Sequence, residues 1–387
     1  MAFNLNRLRD LIAKEMPRIP RWNQGEADSD DYDSRPGTAQ TGDSADPDAI
    51  ERNDRISMVL ADPTPIGAGP KSNLDLINEC DNFPYYQNNP ALFFAHINTY
   101  YALYVQDYPE VELGYLLPSV AEVFRGLPDW RINDEDRSLT LVTGNTEAER
   151  SKVVEATIRA MHATGYFKVL SQWRNELYPV YGPKGELLFS MERSASALFG
   201  IVTYGCHMTA YVQGNEEKEQ QTRIWVPRRA ANKQTYGGML DNTVAGGIAT
   251  GESPFESLVR ESAEEASLPE ELVRKRARAV GTITYFHIRD QRAGGETRLV
   301  QPECQYVYDL EVSADVELKP GDDEVEGFEL KTVEEVKEAM RNGEFKPNCA
   351  LVLLDFFVRH GYVTMETEEN YIEIVSRLHR RLDFPTP

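Results

Sequence analysis

Residues 245–268 carry a spaced pattern of glycine, arginine and glutamate that restricts the fold more than any other part of this sequence. A Gly-Gly pair is followed by a lone glutamate and then, in a helical stretch, by an Arg-Glu-x-x-Glu-Glu run. Because a helix advances about 100° per residue, the three glutamates of that run fall within about one third of its circumference. The opposite face is apolar or small, which suits packing on a sheet. The pattern consists of Gly246, Glu252, Arg260, Glu261, Glu264 and Glu265.

The clustered carboxylates favour a divalent-metal site. Like charges three and four residues apart on a helix repel by about 0.2–0.5 kcal/mol per pair. Bound Mg²⁺ or Mn²⁺ turns this repulsion into attraction, because hard cations take carboxylate oxygens and share them with substrate phosphates. We expect Glu261 and Glu265 to be the principal ligands, with Glu264 as a third ligand or as the base that deprotonates water. Arg260 orients the cluster from its edge, and Gly246 lets the backbone approach the metal.

Charged residues on either side of this pattern are candidates for binding a diphosphate and for general-base chemistry. Arginine suits bidentate contact with phosphate, and the candidates upstream are Trp225, Arg228, Arg229 and Lys233. Downstream, the acidic run at residues 322–326 offers Glu324 as a catalytic base. Strand alternation would place Glu324 and Glu326 on one face. Glu303 and Gln305 are further candidates for substrate contact.

The charge balance limits the partners. Acidic residues outnumber basic ones by 63 to 41, a net charge of -22, which argues against nucleic acid and against an anionic membrane surface. No apolar stretch approaches the ~20 residues that span a bilayer, so we expect a small-molecule partner. Four scattered cysteines favour a reducing, cytoplasmic location. Mitochondrial import is the less favoured alternative, because Asp10 and Glu15 interrupt the basic amino terminus and no serine precedes Ser29.

Composition and periodicity predict three segments. Residues 1–72 are mostly disordered, because the acidic, polar stretch at residues 25–49 lacks enough apolar surface to offset its ordering entropy. A smaller α+β domain occupies residues 73–196, and a mixed α/β domain with a carboxyl-terminal helix occupies residues 197–387. The oligomeric state is left open.

Within the two domains, turn and capping signals predict individual elements. Ser72 caps a helix at residues 73–80, Asn145 caps a helix that ends at Gly165, and a hairpin turns at residues 182–185. Strands are expected at 200–213, 222–226, 280–288 and 305–312. Helices are expected at residues 347–359, capped near Asn348, and at residues 369–382.

The pattern at residues 245–268 resembles a Nudix box, and the longer text resembles the thiamin pyrophosphokinase-related Nudix proteins. The matching segments lie at residues 224–268, 302–312, 321–330 and 345–361, within an overall match of about residues 75–385. The Met-Leu-Asp-Asn sequence at residues 239–242 is the most specific part, because generic Nudix hydrolases lack it. The chain has no room for a kinase domain, so we expect no kinase activity.

This resemblance implies a Nudix α/β/α sandwich and a Mg²⁺- or Mn²⁺-dependent diphosphate hydrolase. Its substrates would be thiamin diphosphate and the oxidised or toxic analogues oxothiamin and oxythiamin diphosphate, which are converted to monophosphate and phosphate. Two positions depart from the family pattern: Ser262 replaces an aliphatic residue and Ser267 replaces a glycine. Ser267 would be strained if the residue that ends the helix requires a positive φ.

Three alternatives to this function stay open. One is a general hydrolase of nucleoside-diphosphate derivatives such as ADP-ribose. Another is a non-catalytic binding module, which the intact set of glutamates disfavours. The third is a relative of isopentenyl-diphosphate isomerase, which would need a catalytic cysteine, with Cys206 as the candidate.

Overall fold

The computed structural model describes residues 69–215, 219–233 and 235–387. Almost all of the segment predicted to be disordered, residues 1–72, therefore lies outside the described residues. The described parts begin just before the predicted cap, Ser72, which forms a reciprocal capping box with Asp75. None of the helices in these parts is both long and apolar enough to cross a membrane.

The amino-terminal region is a mixed α+β unit. Its helices are α1 (Asn73–Cys80), α2 (Pro90–Ile97), α3 (Pro118–Ala121), α4 (Glu147–Ala163) and α5 (Ser196–Phe199). Its strands are β1 (Tyr101–Val105), β2 (Gly114–Leu116), β3 (Trp130–Asn133), β4 (Ser138–Leu141), β5 (Leu177–Tyr181) and β6 (Leu187–Glu192).

Two small sheets and α4 form the core of this region. The first sheet has the order β2-β1-β4-β3, with β1 and β4 parallel. The hairpin of β5 and β6 turns at the predicted place and packs against α4. Helix α1 instead packs against helices near the carboxyl terminus, because Leu76, Ile77 and Cys80 belong to a different hydrophobic cluster.

The second region is built on one mixed sheet. Its strands are β7 (Thr203–Val212), β8 (Arg223–Arg229), β9 (Val244–Gly247), β10 (Arg278–Ile288), β11 (Val300–Glu311) and β12 (Val325–Thr332). Its helices are α6 (Pro254–Ala266), α7 (Glu270–Arg276), α8 (Val333–Arg341), α9 (Pro347–Arg359) and α10 (Tyr371–Leu378). The strand order is β10-β11-β7-β8-β12, and β9 pairs with β7.

Strand β7 lies in the middle of this sheet and is buried along its whole length. Cys206, Met208 and Ala210 share a cluster with Leu258 of α6. Because side chains alternate along a strand, Gly205, His207 and Thr209 face the other layer, where α9 packs. Helices thus cover both faces of the sheet, which confirms the predicted α/β/α sandwich.

The observed ends of several elements differ from the sequence prediction. The cap of α4 is Thr146 rather than Asn145, because the Thr146 hydroxyl accepts a hydrogen bond from the backbone N–H of Glu149. Helix α9 begins at Pro347 with Lys346 extended before it, so Asn348 lies inside the first turn and is not the cap. Glu324 precedes β12, and a bulge between Val325 and Gly327 breaks the predicted alternation.

The amino-terminal region packs against the second region through specific polar contacts. The Glu296 carboxylate accepts the backbone N–H groups of Lys168 and Val169 at 2.6 and 3.1 Å. The Tyr100 hydroxyl donates to the carbonyl oxygen of Arg298 at 3.1 Å. These contacts fix two segments, the one that follows α4 and the one that precedes β1, against the loop between β10 and β11.

Candidate active site

Helix α6 presents the acidic pattern because its two ends and its buried face are well defined. Ser253 accepts the backbone N–H of Glu256, and Pro254 occupies the first helical position. Ser262 is fully buried, and its hydroxyl donates to the Leu258 carbonyl oxygen at 2.7 Å. The serine that replaces an aliphatic residue is therefore accommodated without an unpaired polar group. The helix ends at Ser267 in the left-handed region, with φ 50°.

The glutamates of α6 reach back to the strand that precedes it. The Glu265 carboxylate accepts the backbone N–H of Ala245 at 3.1 Å. Glu261 packs so closely on Gly246 that a Cβ at that position would collide with its carboxyl group. Glycine at position 246 therefore makes room for the Glu261 carboxylate.

Arg260 holds the acidic cluster together. Its Nε and Nη2 atoms donate to the two carboxylate oxygens of Glu252 at 2.8 and 3.0 Å. Its Nη1 lies 2.9 Å from a carboxylate oxygen of Glu261 and 2.9 Å from one of Glu264. One guanidinium thus links the loop glutamate to two glutamates of the helix, as an orienting role requires.

Burial destabilises the charged forms of the two inner carboxylates. It raises the pKa of Glu261, with Arg260 partly offsetting the effect. Burial and the neighbouring Glu261 charge raise the pKa of Glu265 well above its usual range. Glu264 differs from both because 52% of its side chain is exposed. Two buried carboxylates side by side, flanked by an exposed third, form an arrangement that a dication would stabilise.

The donor set fits a hard divalent cation. Within the described ranges no three His, Cys, Asp or Glu side chains already converge as a preformed metal cluster. The fit rests instead on oxygen chemistry: Glu261 and Glu265 are buried together, and Gly246 keeps their approach to the backbone clear. Oxygen-only donors of this kind match Mg²⁺ or Mn²⁺ better than softer metals.

Beside the acidic cluster lies a cavity of about 250 Å³. Its wall includes residues 245–247 of the box, the ends of β7, β10 and β11, and the start of α9. The amino-terminal region supplies the remaining wall. The polar and aromatic side chains that line it include Gln172, Arg174, Tyr178, Arg193, Ser194, Tyr204, His207, Tyr236, Tyr285, His287, Arg289, Gln301, Glu303, Gln305, Lys346 and Asn348. Glu303 and Gln305 were candidates from the sequence, whereas no local pattern pointed to the rest.

The upstream residues considered for substrate binding lie outside the cavity wall, although two of them, Arg229 and Lys233, act electrostatically on Glu265 of the acidic cluster. In the part of the chain that the structure describes, none of the four lines the cavity. Trp225 is buried in the core of the sheet. Arg228 donates to the Gly238 carbonyl oxygen at 2.8 Å, and Arg229 pairs with Asp241 at 2.5 Å. These arginines hold the loop at residues 235–241 against β8.

Lys233 and Glu324 form an ion pair with each other. Burial would raise the pKa of Glu324, but the hydrogen bond and charge of Lys233, together with the charges of Arg174 and Arg229, outweigh it and lower the pKa. Lys233 also acts electrostatically on Glu265, so the pair lies close to the acidic cluster. The structure therefore brings Glu324 near the cluster, with its negative charge compensated.

The Met-Leu-Asp-Asn sequence at residues 239–242 contacts His207, one of the residues that line the cavity. The Asn242 side-chain oxygen lies 2.7 Å from Nδ1 of His207, and its Nδ2 donates to the Cys349 carbonyl oxygen at 3.2 Å. Burial, reinforced by the charge of Lys346, lowers the pKa of His207 to about 4. Burial would raise the pKa of Asp241, but Lys346 and Arg229 outweigh it and keep this carboxyl ionised. The sequence thus orients a neutral histidine in the cavity.

Cys206 does not have the environment of a catalytic cysteine. It is fully buried on the α6 side of β7, opposite the adjacent His207, and burial raises its thiol pKa to about 12. A thiol in this environment is protonated and inert near neutral pH. The isomerase alternative that required a nucleophile at this position is therefore disfavoured.

Comparison with known proteins covers both regions. The model for a domain of unknown function, DUF4743, matches residues 87–203, and the model for the NUDIX domain matches residues 210–349. An uncharacterized protein of Saccharomyces cerevisiae, YJR142W, is 39% identical over 257 residues, which are 65% of this chain and 74% of that protein. Nudix hydrolase 20, chloroplastic, of Arabidopsis thaliana is 37% identical over 60% of this chain and 59% of its own length.

Among solved structures, the protein DR0079 from Deinococcus radiodurans covers 46% of this chain and 97% of its own. Its sequence identity is 20% and its TM-score is 0.33. We draw no functional conclusion from a likeness at that level.

Proposed function

We propose, from the premise that this chain belongs to the Nudix hydrolase family, that it hydrolyses organic diphosphates with Mg²⁺ or Mn²⁺ held by Glu261, Glu264 and Glu265. The observation that carries this proposal is the Arg260 bridge, which fixes Glu252, Glu261 and Glu264 around one guanidinium. Membership of the family supports pyrophosphate hydrolysis and the use of a divalent metal. The identity of the metal and the role of each residue are what we propose.

Each acidic residue has a distinct task in this proposal. Glu261 and Glu265, buried against Gly246 and Ala245, hold the cation, which lowers the pKa of a bound water and neutralises phosphate charge. Glu264 is half exposed and has access to solvent, so it completes the ligand set or takes the proton from the attacking water. Glu324 is the second candidate for that base, although its ion pair with Lys233 weakens its basicity.

For the organic group, we propose thiamin diphosphate and its oxidised analogues, oxothiamin and oxythiamin diphosphate. The resemblance at residues 239–242 supports this choice, and the structure adds that these residues orient His207 in the cavity. The cavity of about 250 Å³ falls just below the range of about 300–1,000 Å³ typical of pockets for drug-sized ligands. Its size favours a compact heterocyclic group over a long one such as ADP-ribose.

A substrate panel tests the proposal. Phosphate release with Mg²⁺ is measured on thiamin, oxothiamin and oxythiamin diphosphates, and formation of AMP and ribose 5-phosphate is measured on ADP-ribose, using the full chain. We expect turnover of at least one thiamin-type compound, with the analogues preferred. Turnover of ADP-ribose alone would replace this substrate with a nucleoside-diphosphate derivative. Absence of metal-dependent turnover on every compound would support a non-catalytic module instead.

We also place the protein in the cytoplasm. The four cysteines are buried and reduced in the described residues, which suits a reducing compartment. Fractionation of cells that express the full chain with a carboxyl-terminal tag is the test. Recovery of the tag in an organelle would contradict this placement.

A further inference from the structure

The amino-terminal region reaches into the acidic site through Tyr178 and Arg193. Both lie directly against Gly247 of the box: a Cβ at position 247 would collide with the Tyr178 hydroxyl and would lie 3.3 Å from the Arg193 guanidinium carbon. That guanidinium also stacks over the Tyr178 ring at 5.3 Å. A glycine of the metal-binding motif is thus covered by side chains from the other domain.

Arg193 is placed to interact with a second anion. In the described residues its one carboxylate partner is Glu176, at 2.7 Å, and 39% of its side chain remains exposed. Its charge also acts on Glu261, the buried carboxylate of α6, and opposes the rise in the pKa of that residue. A planar guanidinium with remaining N–H donors beside a metal-binding carboxylate is suited to bidentate phosphate contact.

The cavity wall beyond Arg193 carries buried polar atoms that lack protein partners. Among the described residues ten such side-chain atoms exist, and half of them belong to cavity-lining residues. Unpaired buried polar atoms are costly, so a polar ligand bound at this wall would be favoured by satisfying them. Arg289 is a clear case, because its Nε is unpaired and the residue is 9% exposed. The atoms are Ser194 Oγ, Tyr204 Oη, His287 Nδ1, Arg289 Nε and Gln305 Oε1.

We propose that the amino-terminal domain forms part of the substrate site, with Arg193 binding the diphosphate and the adjoining cavity binding a small hydrogen-bonding ring. This assignment rests on the proposed function and gives the domain of unknown function a direct role in substrate recognition. Glu176 holds the guanidinium in place, and Tyr178 keeps it against Gly247. The ligand class is the diphosphate ester of a polar heterocycle.

The test separates diphosphate binding from metal binding and from turnover. Calorimetry on the full chain measures the affinity for Mn²⁺ alone and then for methylenediphosphonate, a non-hydrolysable diphosphate, at saturating Mn²⁺. Arg193→Ala should weaken methylenediphosphonate binding by at least about tenfold, the loss expected for a charge-assisted bidentate contact. Its affinity for Mn²⁺ should not fall, because the substitution removes a positive charge.

Arg125→Ala is the matched control. Arg125 also lies in the amino-terminal domain, pairs with a nearby glutamate and has the same side-chain exposure, 39%, but it does not line the cavity. This variant should bind methylenediphosphonate as the wild type does. Glu176→Gln removes the negative charge that competes for Arg193, while the amide oxygen can still accept a hydrogen bond from the guanidinium, so this variant should bind methylenediphosphonate at least as tightly as the wild type.

The outcomes distinguish the role of Arg193 in diphosphate binding from the metal-dependent hydrolase activity. Equal methylenediphosphonate affinity in wild type and Arg193→Ala, with Mn²⁺ binding intact, overturns the role of Arg193 and leaves the metal-dependent hydrolase standing. A wild type that binds neither Mn²⁺ nor methylenediphosphonate overturns both proposals. If Arg193→Ala does not fold, Arg193→Lys replaces it: this variant keeps the charge but loses the planar fork, so unchanged affinity contradicts a bidentate contact.

Discussion

The two walls of the site differ in how the chain builds them. The acidic wall, which holds the metal in the proposed function, comes from one continuous stretch, residues 245–265, in which a strand and a helix are neighbours in sequence. The cavity wall is assembled from residues 169–178 and 193–197, from β7, β10 and β11, and from the start of α9, which are far apart in the chain. The first wall is encoded by spacing and would carry out the reaction. The second wall exists only after folding and would recognise the substrate.

This difference predicts different responses to mutation. A change in the acidic wall should abolish turnover of every substrate, since all of them need the same metal. A change in the cavity wall should alter which substrate is preferred and leave the metal bound.

Glu265→Gln should reduce metal-dependent turnover by about 1,000-fold or more, because it removes a charged ligand from the buried pair. The fold should persist, since the amide still accepts the backbone N–H of Ala245. Phosphate release and Mn²⁺ calorimetry measure the loss. Glu256→Gln, an exposed glutamate of the same helix that pairs with Arg274, is the control and should retain activity. Unchanged turnover in Glu265→Gln would remove this residue from the metal site.

Acid should destabilise the cavity wall through His207. Its pKa in the folded protein is about 4, below the usual 6.5, so the unfolded state binds the extra proton as the pH falls through 6.5. Stability is therefore present at pH 7 and is progressively lost down to about pH 4. Denaturant unfolding at pH 7 and 4.5 should show that His207→Gln loses less free energy of unfolding than the wild type, by about 1–3 kcal/mol. The exposed His162→Gln should keep the wild-type pH dependence.

Gln305→Leu should separate recognition of the organic group from binding of the diphosphate. The Gln305 amide nitrogen donates to a Glu303 carboxylate oxygen at 2.8 Å and to the Tyr285 hydroxyl at 3.3 Å, so the substitution should lower the free energy of unfolding by about 1–3 kcal/mol. The same change should lower kcat/KM for the preferred organic substrate by about 10–100-fold, while methylenediphosphonate binding stays at the wild-type level. Steady-state kinetics and calorimetry measure these two effects, and denaturant unfolding measures the loss of stability. A parallel loss of methylenediphosphonate binding would make Gln305 a structural residue only.

Ser267→Gly should have the smallest effect, a stabilisation of up to about 1 kcal/mol. Ser267 ends α6 with φ 50°, a conformation that costs a residue with a Cβ but not glycine. Turnover should be unaffected, because Ser267 is exposed and contributes no carboxylate to the acidic cluster. Denaturant unfolding measures the gain; a loss of stability would show that the serine is preferred at this helix end.

The acidic wall could be predicted from the sequence because its information is local. Three-to-four-residue spacing identifies the shared face of Glu261, Glu264 and Glu265 without knowledge of the fold. The prediction that Arg228, Arg229 and Lys233 contact the diphosphate was also local, and it stays a prediction. Arg228 and Arg229 donate to the loop that follows them, and in the described part of the chain none of the three lines the cavity.

Arg193 had no local signal that would single it out. It lies in the short helical turn after a hairpin strand, 54 positions before Gly247, and only the packing of the two regions brings it to the box. No local sequence signal marked His207 either, because a strand that is buried on both faces does not show which face borders a cavity. Its role depends on Asn242 and Lys346, which come from two other segments.

The hydrogen bonds of Glu296 help to fix the position of the amino-terminal region relative to the second region. The Glu296 carboxylate accepts hydrogen bonds from the backbone N–H groups of residues 168 and 169. The loop between β10 and β11 therefore helps to fix the position of the cavity wall that contains Arg193. An engineer who transplants the catalytic half onto a different amino-terminal partner would keep the reaction and lose this alignment. Substrate selectivity would therefore depend on the two domains together, and neither domain alone would determine it.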